Sequence, residues 1–451
     1  MTAAPGGSGD GGSREDGSRG GAPRGVEAPE VDAAVAGGGP AGAVAALVLA
    51  CAGHRVLLLD DGGGAGAGAA GGTGGPRNDA SRTDTSRTDA PRIGGFRIGE
   101  FLPPAARPLL RDLGLLDAFL AAGHPRSTGT LTAWGSAALH GRSHLFDPYG
   151  HGWHLDRVRF DAFLRDAAVA AGAELRPSTV LRRHADGRLV VRDRATGAVR
   201  ELRSRWTVDA TGRRCVIGRR HGLRHRQDRL VAAYAVFDVR RPGDGTDGRA
   251  DGGTDGGAAQ EADGGGGDRE ARTLVEAVPH GWWYTTLVPA GRLVAHLTDP
   301  DLADPALRTP EGFWHGITRT GHVRRRLAGY DPAATPLPRW TPAHGLRLDP
   351  VAGPGWVAAG DAALAFDPLS SQGILTALHT GARAGRAVAA CLAAPGRTVA
   401  ALADYTAFLD GIAAAYAGNH ALSYRQEQRW PDHPFWRRRH TPRPPALTAD
   451  R

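Results

Sequence analysis

The chain has 451 residues, enough for two domains with a sizeable core, and carries 66 glycines and a formal net charge of +8. Every basic residue is arginine: with no lysine in the chain, Schiff-base chemistry, a phosphate-loop lysine and a lysine general acid are excluded. The arginines alternate with acids along the whole length without an aromatic-basic module, which argues against a nucleic-acid partner.

In chain order, residues 1–29 are Gly, Ser, Pro and charge without periodicity and read as a disordered tail. Residues 31–36 form a short apolar strand, 41–52 an apolar helix and 54–60 a second buried strand. This βαβ unit demands a parallel sheet. Two further tracts, 62–92 and 241–268, lack the apolar residues needed to offset their ordering entropy and are expected to be disordered surface loops. Residues 160–171 read as an amphipathic helix, and 188–194 and 200–208 as strands around a Thr196-Gly197 turn. Residues 234–240, 273–278, 282–288 and 292–298 read as antiparallel strands of a second domain, and 373–394 and 399–417 as long closing helices.

Cys51, Cys215 and Cys391 are far apart and form no CxxC pair, so neither a metal centre nor a disulfide framework is expected; Cys51 falls in an apolar helix and reads as core. No run approaches a membrane span and the N-terminus has no apolar leader, so a cytoplasmic protein is expected. The Arg437-Arg438-Arg439 run reads as a solvated tail.

Three motifs carry chemistry. Gly37-Gly38-Gly39-Pro40-Ala41-Gly42 matches G-x-G-x-x-G between a strand and a helix. Gly37 permits the turn, Gly39 lets a pyrophosphate approach the backbone, and Gly42 lets the helix pack on the strand. Asp60, ending the second strand about twenty residues on, suits a ribose diol and repels a 2′-phosphate. Val208-Asp209-Ala210-Thr211-Gly212-Arg213 runs a strand into a sharp turn. Gly355-Trp356-Val357-Ala358-Ala359-Gly360-Asp361-Ala362-Ala363 ends a strand in Gly-Asp, and Asp367-Pro368-Leu369-Ser370-Ser371-Gln372-Gly373-Ile374 then leads into a long helix.

In this order and at these spacings the motifs resemble the flavin monooxygenases of the aromatic-hydroxylase and halogenase superfamily. The resemblance implies an α/β fold: a Rossmann-like FAD/NAD(P)-binding domain, discontinuous in sequence, with an inserted antiparallel β-sheet substrate domain and C-terminal helices. Residues 30–222 would be the first part of the FAD domain, with 126–152 lent to the substrate domain. Residues 223–345 would be the substrate domain, 346–395 the last part of the FAD domain and 396–451 a helical region and tail. FAD would be held by Gly37, Gly39, Gly42, Asp60, Arg157, Asp209, Gly212, Gly360, Asp361, Pro368, Gly373 and Ile374. Asp361 would take the ribityl hydroxyls, and the amides of Gly373 and Ile374 the pyrimidine edge of the flavin. Arg157, in Arg157-Val158-Arg159-Phe160-Asp161, matches the arginine of a flavin-contacting helix. Arg97-Ile98-Gly99-Glu100 and Gln428-Arg429-Trp430-Pro431 resemble the halogenase-like branch, which includes flavoproteins that mature tryptophylquinone cofactors.

The resemblance implies an enzyme in which FAD, reduced by NAD(P)H or a reductase, meets dioxygen to form a C4a-hydroperoxide and oxygenates an electron-rich aromatic or amine. Three departures bear on this. The Glu-x-x-Arg that follows the second strand in aromatic hydroxylases is absent. The halogenase lysine is missing from Gly129-Thr130-Leu131-Thr132-Ala133-Trp134, and Trp-x-Trp-x-Ile-Pro is replaced by Gly281-Trp282-Trp283-Tyr284-Thr285-Thr286-Leu287-Val288-Pro289. Tryptophan halogenation is therefore disfavoured. Open alternatives are a maturase acting on a tryptophan of a partner protein, a reductase of the geranylgeranyl-reductase type, and a flavin-binding sensor or scaffold. His151 and His154 are candidate catalytic residues, while Trp282, Trp283 and Tyr284 read as strand core or pocket wall.

Overall fold

The computed structural model describes residues 31–62, 98–239 and 268–441. Nearly all of the three low-complexity tracts lies outside these residues. Asp268, expected to end the third tract, is instead fixed: it accepts from Arg292 Nε at 2.6 Å and from the Tyr330 hydroxyl at 2.8 Å.

The strand Val31–Ala36 is flanked on both sides by parallel partners, Val56–Asp60 and the second half of Val199–Asp209, and Trp356–Ala358 extends the sheet beyond the latter. The register pairs Ala36 with Asp209 and Asp209 with Ala358. Gly37, Ala210 and Ala359, the next residues of the three strands, therefore leave the sheet together at its carboxyl edge, where parallel α/β sheets bind ligands. Glu174–Arg183 pairs with Val56–Asp60 in parallel, then turns through Arg188–Asp193 into Val199–Asp209 as an antiparallel meander. That meander covers one face of the sheet with Val180, Leu189, Val191 and Leu202.

Five helices matter to the site: α1 (Pro40–Cys51), α2 (Arg157–Ala170), α3 (Gly373–Ala393), α4 (Thr398–Arg425) and α5 (Pro434–His440). α1 and α3 meet through small residues. A Cβ on Gly381 would strike the Ala41 carbonyl, and one on Gly385 would lie 2.9 Å from the Ala45 carbonyl. Gly381 and Gly385 are thus packing surface, which offsets their helix cost.

The second sheet orders Arg339–Pro342, Val231–Phe237, Gly291–Thr298, Gly281–Val288, Thr273–Val278, Gly129–Ala133 and His140–Ser143, all antiparallel except the pair Thr273–Val278 with Gly129–Ala133. Alternation along these strands divides the side chains. Tyr234, Trp282, Tyr284 and Leu293 face a core shared with Tyr424, Phe435 and Trp436, whereas Ala233, Trp283 and Val294 face Phe313 and Ile317. The α/β architecture with an inserted antiparallel sheet is as expected.

Three expectations fail. Cys51 is exposed at the C-terminal end of α1. Arg438 and Arg439 do not form a solvated tail: both bond Asp299, and Arg439 is buried with its guanidinium 3.6 Å from the ring centre of Phe435. One helical segment, Pro395–Arg425, is long and apolar enough by length and composition to cross a membrane, contrary to the expectation of none. Its residues Tyr405, Leu409, Ala413, Tyr416 and Tyr424 form a buried stripe against the rest of the chain.

Candidate functional site

The glycines at the carboxyl edge fall into two groups. Gly37 has φ +107, and a Cβ there would run into the Ala210 carbonyl; one on Gly42 would run into the Gly37 carbonyl. Both are glycine because the first turn brings chain against chain. Gly39 caps α1 in extended conformation, no side chain caps the helix, and a Cβ at Gly39 would meet nothing within 4 Å. Gly212 and Gly373 likewise open on empty space, and no side chain caps α3. Bare helix starts beside unfilled room suit an anion and a ring edge approaching backbone amides, so the residues present fit an FAD.

Asp60 ends its strand as expected, with Arg165 of α2 3.4 Å from its carboxylate and also donating to the Gly38 carbonyl at 3.2 Å. Arg165 thus steadies the glycine turn and Asp60 together. Asp209, expected to contact the cofactor, is engaged by the chain itself. Fully buried, it accepts from the Thr211 amide and hydroxyl through one oxygen and from the amides of Ile217 and Gly218 through the other. Its lone pairs are spent on the chain, so it shapes the turn that carries Gly212.

Asp361 has a side chain 41% exposed, with Arg213 Nε 3.7 Å from one oxygen. Gly360, at φ +59, donates its amide to Thr380 of α3 at 2.9 Å. Pro368 opens the short turn Pro368–Ser370, Ser371 adopts φ +51, and Ile374 is buried at the start of α3. Arg157 is held by Asp161, at 3.2 Å to each oxygen, and by the Gly99 carbonyl at 2.8 Å. It therefore ties the segment at Gly99 to α2. The adjoining Glu100 is 5% exposed and accepts from the Gly99 amide at 2.7 Å; burial pushes its carboxyl up to about 7. Burial, with a smaller contribution from the Glu100 charge, raises the pKa of Tyr284 in the second sheet.

The two histidines part company. His154 is fully buried, with Nε2 2.7 Å from the Ala271 carbonyl and Nδ1 3.4 Å from the Thr286 hydroxyl; burial holds its pKa down to about 4. Both ring nitrogens of this candidate acid or base are thus engaged within the chain. His151 has Nδ1 3.0 Å from the Gly152 carbonyl and lies edge-on to Trp153.

Sequence reasoning missed His420. Its Nε2 lies 3.2 Å from Asp367, to which Tyr424 also donates at 2.7 Å, and its ring sits between Tyr416 and Tyr424. The helical spacing of residues 405, 409, 413, 416, 420 and 424 put it on the inner stripe of α4.

Comparison with known proteins agrees with this geometry. Residues 103–253 match a family model described as an FAD binding domain. LodB of Marinomonas mediterranea, assigned as an FAD-dependent oxidoreductase, is 25% identical over 91% of this chain and 96% of its own length. A 1H-pyrrole-2-carbonyl-[peptidyl-carrier protein] brominase of Pseudoalteromonas luteoviolacea is 24% identical over 64% of this chain and 67% of its own. Among solved structures, the myxobacterial chondrochloren halogenase CndH superposes with a TM-score of 0.70 at 22% identity, covering 91% of this chain and 86% of that one. The peptidyl tryptophan dihydroxylase QhpG gives 0.65 at 21%, covering 91% and 78%.

Proposed function

We propose that this chain, an FAD-dependent oxidoreductase of the flavin monooxygenase and halogenase-like superfamily, oxygenates an electron-rich aromatic substrate and does not halogenate it. The strand Gly129–Ala133 carries the reading. Where the halogenase resemblance calls for a lysine, this strand runs instead into Trp134, whose indole donates to the Ser423 carbonyl at 2.7 Å and packs edge-on against Trp282, Tyr424 and Trp436. With no lysine anywhere, the chain lacks that acid for steering a hypohalous acid.

FAD, reduced by NAD(P)H or a reductase, supplies the dioxygen chemistry when bound. The first turn and the start of α1 would hold its pyrophosphate, Asp60 the adenosine ribose, Asp361 the ribityl chain, and the start of α3 the pyrimidine edge. Trp134, Trp282 and Tyr284 pack in the core of the second sheet and would exclude water from that side of the site. In balance, an aromatic C–H, dioxygen, two electrons and two protons give a phenolic C–OH and water.

A second reading concerns the substrate. Similarity to LodB runs over nearly the whole of both chains, whereas that to the pyrrolyl-carrier-protein brominase leaves a third of each uncovered. QhpG, which shares the fold, is by name a peptidyl tryptophan dihydroxylase. These favour a tryptophan presented by a partner protein. Reduced protein, dioxygen and bromide are to be offered free tryptophan or a tryptophan-bearing precursor protein. Mass spectrometry should show oxygen added to the precursor and no bromine in either; bromotryptophan overturns the proposal.

A further inference from the structure

Asp367 stands at the head of the loop that leads into α3, fully buried, yet not alone in charge. Side-chain polar atoms of Asp228, Asp367 and His420 all lie within 4.8 Å of one another. One Asp367 oxygen takes the Leu369 amide at 2.9 Å; the other takes the Tyr424 hydroxyl and faces His420 Nε2. Asp228 takes the amides of Leu230 and Gly345. The Asp367 amide donates to the Tyr416 hydroxyl at 3.0 Å, and Trp282 Nε1 donates to the Tyr424 hydroxyl at 3.1 Å, so the group joins the flavin-facing loop to the second sheet.

The surrounding cations have partners of their own, although the charge of Arg439 also reaches Asp228 and works to lower its pKa. Arg439 of α5 bonds Asp299, Arg213 bonds the carbonyls of His344 and Phe366 beside Asp361, and Arg226 donates to the His344 ring. Two carboxylates this close cannot both ionise cheaply. Burial and the neighbouring Asp367 charge both raise the pKa of Asp228.

We propose that Asp228 keeps a proton beside the Asp367 carboxylate, with His420 as its route to solvent, and that this proton keeps the loop from Asp367 to Gly373 in the conformation that faces the flavin. The three are positioning residues, and the inference rests on the flavin site proposed above. With the proton in place Asp367 stays drawn to Asp228 and Tyr424; without it two anions repel across the root of the loop. Loss of the proton should therefore weaken FAD binding.

The test is FAD titration of the apoprotein across pH, read by flavin fluorescence, which needs no substrate or turnover. For one linked proton the wild-type dissociation constant should rise by up to about tenfold per pH unit once Asp228 ionises. Asp228→Asn, neutral at every pH, should bind FAD with a flat profile and should lose a protonated-carboxyl band from the infrared spectrum. His420→Gln, which keeps a donor toward Asp367, should retain that band and slow its exchange with deuterium. An Asp228→Asn profile as steep as wild type overturns the proposal, as does an unchanged infrared band. Should Asp228→Asn fail to fold, an exchange rate unaltered in His420→Gln overturns it instead. Failure to bind FAD at any pH would overturn the flavin-site reading itself, a distinguishable result.

Discussion

Arg213 reaches from the turn after the second strand to Asp361 at the end of the last one, with Nε 3.7 Å from the carboxylate. The same guanidinium donates to the carbonyls of His344 and Phe366. Two motifs more than a hundred residues apart are thereby set in one frame, and Asp361 is aimed without being consumed. Its half-open carboxylate remains able to accept from hydroxyls of a bound ligand.

Asp361→Ala should therefore weaken FAD binding by roughly five- to hundredfold, the cost of about 1–3 kcal/mol for losing a charged acceptor. His151→Ala, which removes a ring bonded only near its own backbone, should leave it unchanged. Equilibrium titration of the two apoproteins decides. Equal affinities would remove Asp361 from the site.

The two groups of glycine make opposite predictions. Gly37→Ala puts a methyl against the Ala210 carbonyl at positive φ, so soluble folded protein should fall sharply. Gly39→Ala meets nothing in the protein, so it should keep the wild-type melting temperature while losing FAD. Circular dichroism melts and flavin content measured on the same preparations separate the two. A Gly39→Ala protein that holds FAD as well as wild type would show that the pyrophosphate lies elsewhere.

Glu100 and His154 give stability a pH dependence of opposite sign. Glu100 is raised from 4.5 to about 7, so its contribution is fully present below pH 4.5 and is lost as pH climbs through 7. His154 is lowered from 6.5 to about 4, so its contribution is present above pH 6.5 and is lost as pH falls through 4. Glu100→Gln should remove the first slope: between pH 4.5 and 8 wild type should lose up to about 3 kcal/mol relative to the variant. Urea unfolding across that range measures the difference, and parallel curves would show that Glu100 ionises as freely folded as unfolded.

The parallel half of the fold was legible because its signals are local. A glycine turn, a strand either side and an acid twenty residues on define Gly37 to Asp60 without reference to anything distant. The strand pairs about Thr196-Gly197 and at 273–298 were legible through alternation and turn residues for the same reason. Asp209 sits in a motif that points to flavin, yet which atoms its carboxylate serves depends on amides at Ile217 and Gly218, and a turn that tight has no sequence period. Arg438 and Arg439 looked solvated because the acid they meet, Asp299, lies about 140 residues away. His420 was hidden in an alanine-rich helix, its spacing visible but its partners Asp367 and Asp228 brought up only by the tertiary fold.

The central claim is that the flavin chemistry of this chain ends in oxygen transfer to carbon. The direct measurement is isotopic: reduced, FAD-loaded protein is mixed with the tryptophan-bearing precursor, bromide and isotopically labelled dioxygen, and the precursor's peptides are weighed. One labelled oxygen atom per hydroxyl formed on an indole ring, with no bromine on any peptide, is the predicted result. Oxygen drawn from water, or bromine on the ring, would contradict the account.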